Sequence, residues 1–198
     1  MSGESQQQPK TSFAGKGVYP VQHAHWLVNP LRNLVGPASR VVSRLDLKPR
    51  DQVLEIGCGP GYFSVPVARR VPQGKLVLFD LQPGMIELAR KRLLAQRLTN
   101  FECHTGSATA LPFADASFDV AFMVTVLGEV GNRDARAAAV REAARVLKSG
   151  GLFSVTEQFG DPDYVRVPEL EAYASETGLR AVHRYGPRFF YTYNFRKA

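Results

Sequence analysis

The chain has 198 residues, of which 44% are hydrophobic and 22% charged, as expected for one globular domain of ordinary size. Its formal net charge of +7 permits an acidic partner but does not require one, because most basic residues fall on exposed faces of predicted helices. No apolar run approaches the roughly 18 residues of a spanning helix, and Cys58 and Cys103 belong to no zinc or redox motif, which predicts a cytoplasmic protein without a metal site.

The N-terminal region differs from the rest of the chain. Residues 1–16 are polar and lack the apolar core of a secretory signal, so we expect a disordered tail. Residues 17–198 are expected to form a single domain, whose first part, residues 17–47, is a helical lid. Apolar residues at helical spacing mark this part: Leu31, Leu34, Val35, Ala38, Val41, Val42 and Leu45. This stripe predicts a helix that packs on the sheet, kinked at Gly36-Pro37, with residues 18–29 near the active face.

From Asp51 onward, strand-like and helix-like segments alternate. The predicted strands are Gln52–Ile56, Lys75–Phe79, Phe101–Thr105, Phe118–Val124 and Leu152–Gln158, and the predicted helices are Tyr62–Val71, a helix opened by Pro83, Asp134–Lys148 and Pro168–Thr177. This alternation requires crossover connections, so it predicts a parallel sheet with helices on both faces. The helix ending at Lys148 is expected to stop at Gly150-Gly151. Arg180–Tyr185 and Phe189–Phe195 predict an antiparallel hairpin at the sheet's edge.

A glycine-rich segment, Val53 to Gly61, joins the first strand to the first helix of the sheet. Its glycines allow a sharp turn and a close approach of a ligand to the backbone. A dinucleotide site would need a further glycine at Tyr62, and a P-loop would need Gly-Lys-Ser/Thr, which is absent. Glu55, beside the loop, disfavours phosphates and favours a cationic ligand. The remaining alternative is a strand–turn–helix in which the glycines serve packing alone.

Asp80 follows the second strand, at the edge where parallel strands present their carboxyl ends. Ligands of open parallel sheets bind at this edge, near the point where the strand order reverses. A carboxylate there can accept hydrogen bonds from both hydroxyls of a ribose. Alternatively, Asp80 is the N-cap of the helix that Pro83 opens, since aspartate is favoured at N-caps.

Five blocks of sequence, in this order and spacing, resemble the class I S-adenosylmethionine-dependent methyltransferases, in particular the small-molecule group typified by ubiquinone/menaquinone biosynthesis. The blocks are Glu55 to Gly61, Asp80 with Pro83-Gly84-Met85, Gly106 to Phe113, Phe118-Asp119-Val120, and Glu142 to Gly151. The likeness covers about Asp46 to Gln158. It implies a Rossmann-like, doubly wound, mostly parallel seven-stranded sheet, and a reaction that converts S-adenosylmethionine to S-adenosylhomocysteine by in-line methyl transfer to a small-molecule acceptor.

The resemblance also implies roles for individual residues. Glu55, Gly57, Cys58, Gly59 and Gly61 would hold the methionine moiety, Asp80 the ribose, Leu81 and Met85 the faces of the adenine, Ser107 and Ala108 its edge, while Val124 and Thr125 would close the pocket. Members of the family often have an aspartate where this chain has Ser107. A hydroxyl accepts a hydrogen bond from the adenine amino group more weakly than a carboxylate does.

No catalytic acid or base is obligatory, because the sulfonium activates the methyl group and the enzyme's main task is alignment. Weak candidates are Tyr19, His23 and His25 in the lid region and Glu129 after the fourth strand. Packed aromatic residues and an exposed helix-start acid explain the same positions.

Two other functions stay open. The domain could bind the cofactor without catalysis, or it could methylate RNA through its C-terminal basic and aromatic residues. The second is disfavoured, because Thr125-Val126-Leu127-Gly128 stands where nucleic-acid amino-methylating enzymes of this fold have an Asn/Asp-Pro-Pro-Tyr/Phe motif. An edge strand with buried aromatic residues also explains the tail.

Overall fold

The computed structural model of the chain describes residues 21–22, 38–158, 163–187 and 189–198. The strands are β1 (Gln52–Ile56), β2 (Lys75–Asp80), β3 (Phe101–Thr105), β4 (Phe118–Val124), β5 (Leu147–Gln158), β6 (Leu179–Tyr185) and β7 (Phe190–Lys197). The helices are α1 (Ala38–Ser43), α2 (Ser64–Arg70), α3 (Pro83–Ala95), α4 (Arg133–Val146) and α5 (Val167–Ser175), with a 3₁₀ turn at Leu127–Glu129. These elements confirm the predicted alternation of strands and helices.

The seven strands form one sheet in the order β3-β2-β1-β4-β5-β7-β6. The pairs among β1 to β5 are parallel, whereas β7 runs antiparallel to both β5 and β6. The predicted α/β fold with an antiparallel C-terminal edge hairpin is therefore confirmed. The strand order reverses between β1 and β4, and ligands of open α/β sheets bind outside the carboxyl ends of strands at such a point.

Helices cover both faces of the sheet. On one face, α1, α2 and α3 bury a cluster that includes Val42, Val67 and Leu93 against the strands. On the other face, α4 and α5 bury a second cluster, which includes Val140 and Leu170. Because apolar layers pack on both faces of the sheet, the carboxyl ends of its strands are held in fixed positions, where a site can form.

The boundary between α4 and β5 corrects one prediction. The helix was expected to continue to Lys148 and to stop at Gly150-Gly151, but it ends at Val146 and β5 begins at Leu147. Leu147 pairs with Phe118, and the next pair joins Val120 to Leu152, so the longer segment of β5 bulges between the two pairs. Gly150 adopts a positive φ of 74° within this bulge. Strand pairing thus overrides the helical preference of the sequence.

The C-terminal hairpin buries three of its aromatic residues, as predicted, whereas Phe189 is 61% exposed. Tyr191, Tyr193 and Phe195 pack in the cluster on the α4–α5 face of the sheet. Of the predicted N-terminal stripe, Val41 and Leu45 are buried on the sheet; the stripe before residue 38, the predicted disordered tail and most of the predicted lid lie outside the described residues. Within the part of the chain that is described, no helix is both long and apolar enough to cross a membrane.

Candidate functional site

The loop after β1 is shaped by glycines that could not be replaced by other residues without strain. Gly57, Gly59 and Gly61 all have a positive φ, which L-residues with a side chain rarely adopt. A Cβ at Gly57 would lie 2.3 Å from Cγ2 of Val126, so close packing fixes this position. A Cβ at Gly59 would meet no atom of the described residues within 4 Å. The loop therefore exposes its backbone to open space at Gly59, where a ligand can approach.

Asp80, the last residue of β2, ties this loop to the start of α3. One carboxylate oxygen accepts the N–H of Gly59 at 2.9 Å, and the other accepts the N–H of Gln82 at 2.9 Å. The N-cap of α3 is Gln82, so the alternative role of Asp80 as the cap itself is wrong. Burial raises the pKa of Asp80, while the hydrogen bonds from Gln82, Gly59 and Leu81 lower it in part. The carboxylate stands at the strand edge beside the exposed loop.

Glu55, near the end of β1, is a second buried carboxyl group beneath the same loop. Its side chain accepts a hydrogen bond from the Ser64 hydroxyl at 2.6 Å. Burial is the main cause that raises the pKa of Glu55 to about 8; Ser64 lowers it, and the charge of Asp80 raises it further. Near neutral pH this group is mostly protonated, because burial disfavours the charged carboxylate.

The two carboxyl groups fit a ligand with a positive charge and hydroxyl groups. No lysine, arginine or histidine among the described residues forms an ion pair with Glu55 or Asp80. Buried acids are usually paired with a positive charge, so a ligand's ammonium group would supply the ion-pair partner that these carboxyl groups lack among the described residues. Open space above Gly59 leaves room for it. A pyrophosphate would instead meet two buried acids.

The β3 edge lies next to Asp80, where the adenine of such a ligand was expected. Thr105 pairs with Asp80, and the following Gly106 donates its N–H to the Asp80 carbonyl at 3.0 Å. Ser107 is exposed, and its hydroxyl lies 2.8 Å from that of Thr109 and accepts the Thr109 N–H. Its hydrogen-bonding capacity is thus partly used within its own loop.

The remaining positions expected to line the adenine are near this edge. Met85 is buried in α3, whereas Leu81, between β2 and α3, is 42% exposed. Ala108 packs against the hydrophobic cluster on the α4–α5 face. Cys58 is buried in the glycine loop, and burial raises the pKa of its thiol. The roles expected for these residues stay predictions.

Beyond the end of β4, the chain forms one wall of a recess. Thr125 has a φ of 53°, an uncommon conformation for a β-branched residue, and its N–H binds the carbonyl of Thr156 at 2.8 Å. The recess is shallow: its cavity volume is about 20 Å³, and about 320 Å³ when the adjoining space open to solvent is included. It is lined by Val41, Phe63, Val124, Thr125, Thr156, Gln158 and Phe190. Of these residues, the sequence singled out only Val124 and Thr125, which it predicted to close the cofactor pocket.

The weak candidates for acid–base roles remain predictions. Tyr19, His23 and His25 lie outside the described residues. Glu129 is half-buried at the end of the 3₁₀ turn that follows β4. Val21 is described and lies beside Gly84, because a Cβ built there would stand 3.0 Å from Cγ1 of Val21. The chain at residue 21 therefore passes the N-terminal end of α3.

Metal binding finds no support in the described part of the chain. No group of three or more histidine, cysteine, aspartate or glutamate side chains in that part is placed to hold a metal ion. Cys58 and Cys103 are both free thiols.

Comparison with known proteins identifies a methyltransferase family model and similar curated proteins. A family model described as "Methyltransferase domain" matches residues 53–151, half of the 198-residue chain. The chain is 39% identical over 118 residues to the ubiquinone/menaquinone biosynthesis C-methyltransferase UbiE of Xanthomonas oryzae, a match that covers 59% of this chain and 46% of that protein. It is 34% identical over 134 residues to an uncharacterized 37.1 kDa protein in transposon TN4556 of Streptomyces fradiae, covering 67% of this chain and 37% of the relative. The chain thus spans less than half the length of these curated relatives.

Among solved structures, a SAM-dependent methyltransferase from Aquifex aeolicus has a similar fold. The TM-score is 0.82 at 18% sequence identity, and the match covers 91% of this chain and 100% of that one. At this identity the likeness concerns the fold alone.

Proposed function

The chain belongs to the methyltransferase-domain family, and from this premise we propose that it is an enzyme that transfers the methyl group of S-adenosylmethionine to a small organic acceptor. The observation that carries the proposal is the pair of buried carboxyl groups, Glu55 and Asp80, beneath a loop whose Gly59 faces open space. S-adenosylmethionine carries an ammonium group, a sulfonium and two ribose hydroxyls, and it has no phosphate. Its ammonium group and ribose hydroxyls would supply the positive charge and the hydrogen-bond donors that these two carboxyl groups lack among the described residues.

We propose the following roles for the residues of this site. Glu55 and the loop residues Gly57, Cys58, Gly59 and Gly61 hold the methionine moiety, and Asp80 accepts hydrogen bonds from the ribose. Leu81 and Met85 flank the adenine, and Ser107 and Ala108 face its edge. Val124 and Thr125 separate the cofactor from the recess. When bound, the cofactor supplies a methyl group that its sulfonium has already activated.

The protein's contribution to the reaction is then positioning. Thr125, held in a strained conformation between β4 and the 3₁₀ turn, fixes the wall between loop and recess. The apolar lining from Val41, Phe63 and Phe190 excludes water from the acceptor. Holding an acceptor in line with the methyl carbon replaces a bimolecular encounter by an intramolecular one, which is worth several kcal/mol of barrier. The similarity to UbiE supports an organic small molecule as the acceptor.

We also propose that residues 17–47 form a lid over this edge and that the protein works in the cytoplasm. The position of Val21 beside Gly84 supports the lid, because α3 begins directly after the Asp80 loop. The two free thiols support a reducing compartment.

The test of the function is a screen for methyl transfer. The full chain is incubated with S-adenosylmethionine carrying a radiolabelled methyl group and a panel of phenols, quinols, amines, thiols and total RNA. We expect label in a small-molecule acceptor, loss of transfer in Asp80→Ala, and retention in Asp115→Ala, which removes an exposed acid from the loop before β4. Tight cofactor binding without transfer to any acceptor would contradict catalysis, and label in RNA alone would contradict the acceptor class.

A further inference from the structure

Thr156, which lines the recess, belongs to a buried polar stripe on the sheet face that also carries Glu55. On β5 and β7, Thr156 is paired with Thr192 and Ser154 with Asn194, and all four side chains are at most 5% exposed. The neighbouring β4 residues on the same face, at the same two levels, are Val124 and Phe122. Polar side chains in such a layer cost free energy unless they are hydrogen-bonded, so their presence calls for an explanation.

One end of this stripe is connected to a cation. Arg44, just after α1, donates from Nη1 to the hydroxyl of Thr192 at 2.8 Å. Its guanidinium lies over the ring of Tyr185 at 4.9 Å, and its carbonyl accepts a hydrogen bond from Asn194 at 2.7 Å. Two contacts thus fix the side chain, and the third fixes the backbone of Arg44. No carboxylate in the described ranges forms an ion pair with Arg44, so its charge is not neutralised locally.

The chemistry of arginine sets the direction of the first hydrogen bond, and we take the second, between the two threonine hydroxyls, in the direction that continues it. A guanidinium can only donate, so the Thr192 hydroxyl accepts from Arg44 and has its own proton to give. The hydroxyl oxygen of Thr156 lies 2.9 Å away and can accept that proton. The proton of Thr156 is then available to the recess that Thr156 lines. A cation at the start of such a chain polarises each bond in turn and makes the last hydroxyl a stronger donor.

We propose that Arg44 and Thr192 are positioning residues that turn Thr156 into a polarised hydroxyl donor at the floor of the recess, where it holds an anionic oxygen of the acceptor. The ligand class is a phenol or enol bound as its anion, with the proton released to solvent. This inference rests on the proposed function in taking the recess as the acceptor site. An acceptor bound as its anion is electron-rich without the help of a side-chain base.

The surroundings of the recess agree with this ligand. Its apolar part, Val41, Phe63, Val124 and Phe190, suits the faces of a ring or a hydrocarbon chain, and Gln158 adds one neutral amide. None of the seven lining residues is an acid. The ionisable groups near Arg44 are Arg40 on α1 and, on β6, Tyr185 with His183 stacked on it at 4.1 Å. The hydrogen-bond chain from Arg44 through Thr192 to Thr156, the relay, therefore has a positively charged neighbour in Arg40 and two further ionisable neighbours in Tyr185 and His183.

A purely structural role for the relay, which would only fasten α1 to the sheet, predicts no effect on the ionisation of a ligand. 4-Nitrophenol separates the two roles, because its anion absorbs visible light and its protonation is read directly. 4-Nitroanisole has nearly the same shape and no acidic proton. Both are titrated into the full chain without cofactor, by equilibrium dialysis and by absorbance against pH.

We expect the protein to lower the pKa of bound nitrophenol by about one unit, which is about a tenfold preference for the anion. In Arg44→Met, Thr192→Val and Thr156→Val this shift disappears, while nitroanisole binds as it does to the wild type. Arg40→Met removes an exposed arginine of α1, four residues before Arg44 and outside the hydrogen-bond chain, and keeps the shift. Because nitroanisole has no acidic proton, loss of its binding identifies any variant whose recess has collapsed.

Three results would overturn the proposal: an unshifted pKa in the wild type, a shift that survives in Arg44→Met and Thr156→Val, or failure of the wild type to bind either dye. Because the titration contains no methyl donor, it is independent of methyl transfer. A shift in a protein that does not bind S-adenosylmethionine would refute the proposed function and leave the relay intact.

Discussion

The ionisation of Glu55 gives the most quantitative prediction. In the unfolded chain its pKa has the ordinary value of 4.5, and in the folded protein burial raises it to about 8. Between these values the folded state keeps a proton that the unfolded state has lost. The free energy of unfolding therefore falls as pH rises, by about 1.4 kcal/mol for each pH unit. The contribution is fully present below pH 4.5 and is lost by about pH 8.

The size of this effect follows from the displacement of the pKa. A change from 4.5 to about 8 corresponds to roughly 5 kcal/mol as an upper bound, since structural relaxation around a buried charge reduces it. Glu55→Gln provides the matched reference, because glutamine keeps an oxygen that accepts the Ser64 hydroxyl and does not ionise. The difference between the two proteins isolates Glu55 from all other titrating groups.

The assay is urea unfolding of both proteins at intervals from pH 5 to pH 9, without cofactor. We expect the wild type to lose stability relative to Glu55→Gln with a slope close to one proton up to about pH 8, and then to level off. A companion titration at pH 7 with S-adenosylhomocysteine, in buffers of different ionisation enthalpy, should show release of about one proton from the wild type and less from the variant. Parallel stability curves for the two proteins would refute the reasoning.

Three further predictions concern the loop, the edge of the sheet and the lid. Gly57→Ala places a Cβ against Val126 at a positive φ and should lower the free energy of unfolding in urea by about 3 kcal/mol. Gly59→Ala has open space around it among the described residues, so it should cost only about 1 kcal/mol of stability, yet it should abolish cofactor binding in calorimetry. Equal stability losses in the two variants would contradict this account of the loop. Arg145→Ala removes hydrogen bonds to Glu142, Asp115 and the carbonyls of Leu111 and Phe113, and should lower the melting temperature by several degrees, unlike Arg141→Ala on the same helix. Hydrogen exchange of peptides that contain Val21 should slow when cofactor is added, while those from the β6 edge stay unchanged; unchanged exchange at Val21 would contradict the lid.

Local sequence rules predicted the strands and the glycine loop because each depends on neighbouring residues. Buried strands such as β1 and β2 are short apolar runs, and the loop at Gly57 to Gly61 needs a positive φ that only glycine adopts readily. The start of β5 at Leu147 depends instead on pairing with Phe118, a partner that local preference does not include. Helical propensity therefore placed this boundary wrongly.

The recess shows the same limit for the site. Val41, Phe63 and Phe190 meet there from three distant parts of the chain, and Arg44 reaches Thr192 across 148 positions. No spacing rule connects such residues. One signal was present in the sequence: Ser154, Thr156 and Gln158 put polar side chains on one face of a strand that packs on both sides. Alternation of this kind in an interior strand indicates a polar network or a ligand.

The most direct test of the central claim is a calorimetric titration of S-adenosylhomocysteine into the wild type, Asp80→Ala and Asp115→Ala. We expect one site per chain in the wild type and in Asp115→Ala, which loses only an exposed acid paired with Arg145. Asp80→Ala should bind more weakly by about 2–3 kcal/mol, or roughly 30- to 150-fold, since it loses charged hydrogen bonds to the ribose and the brace on the Gly59 N–H. Full-strength binding by Asp80→Ala, or no binding by the wild type, would contradict the account.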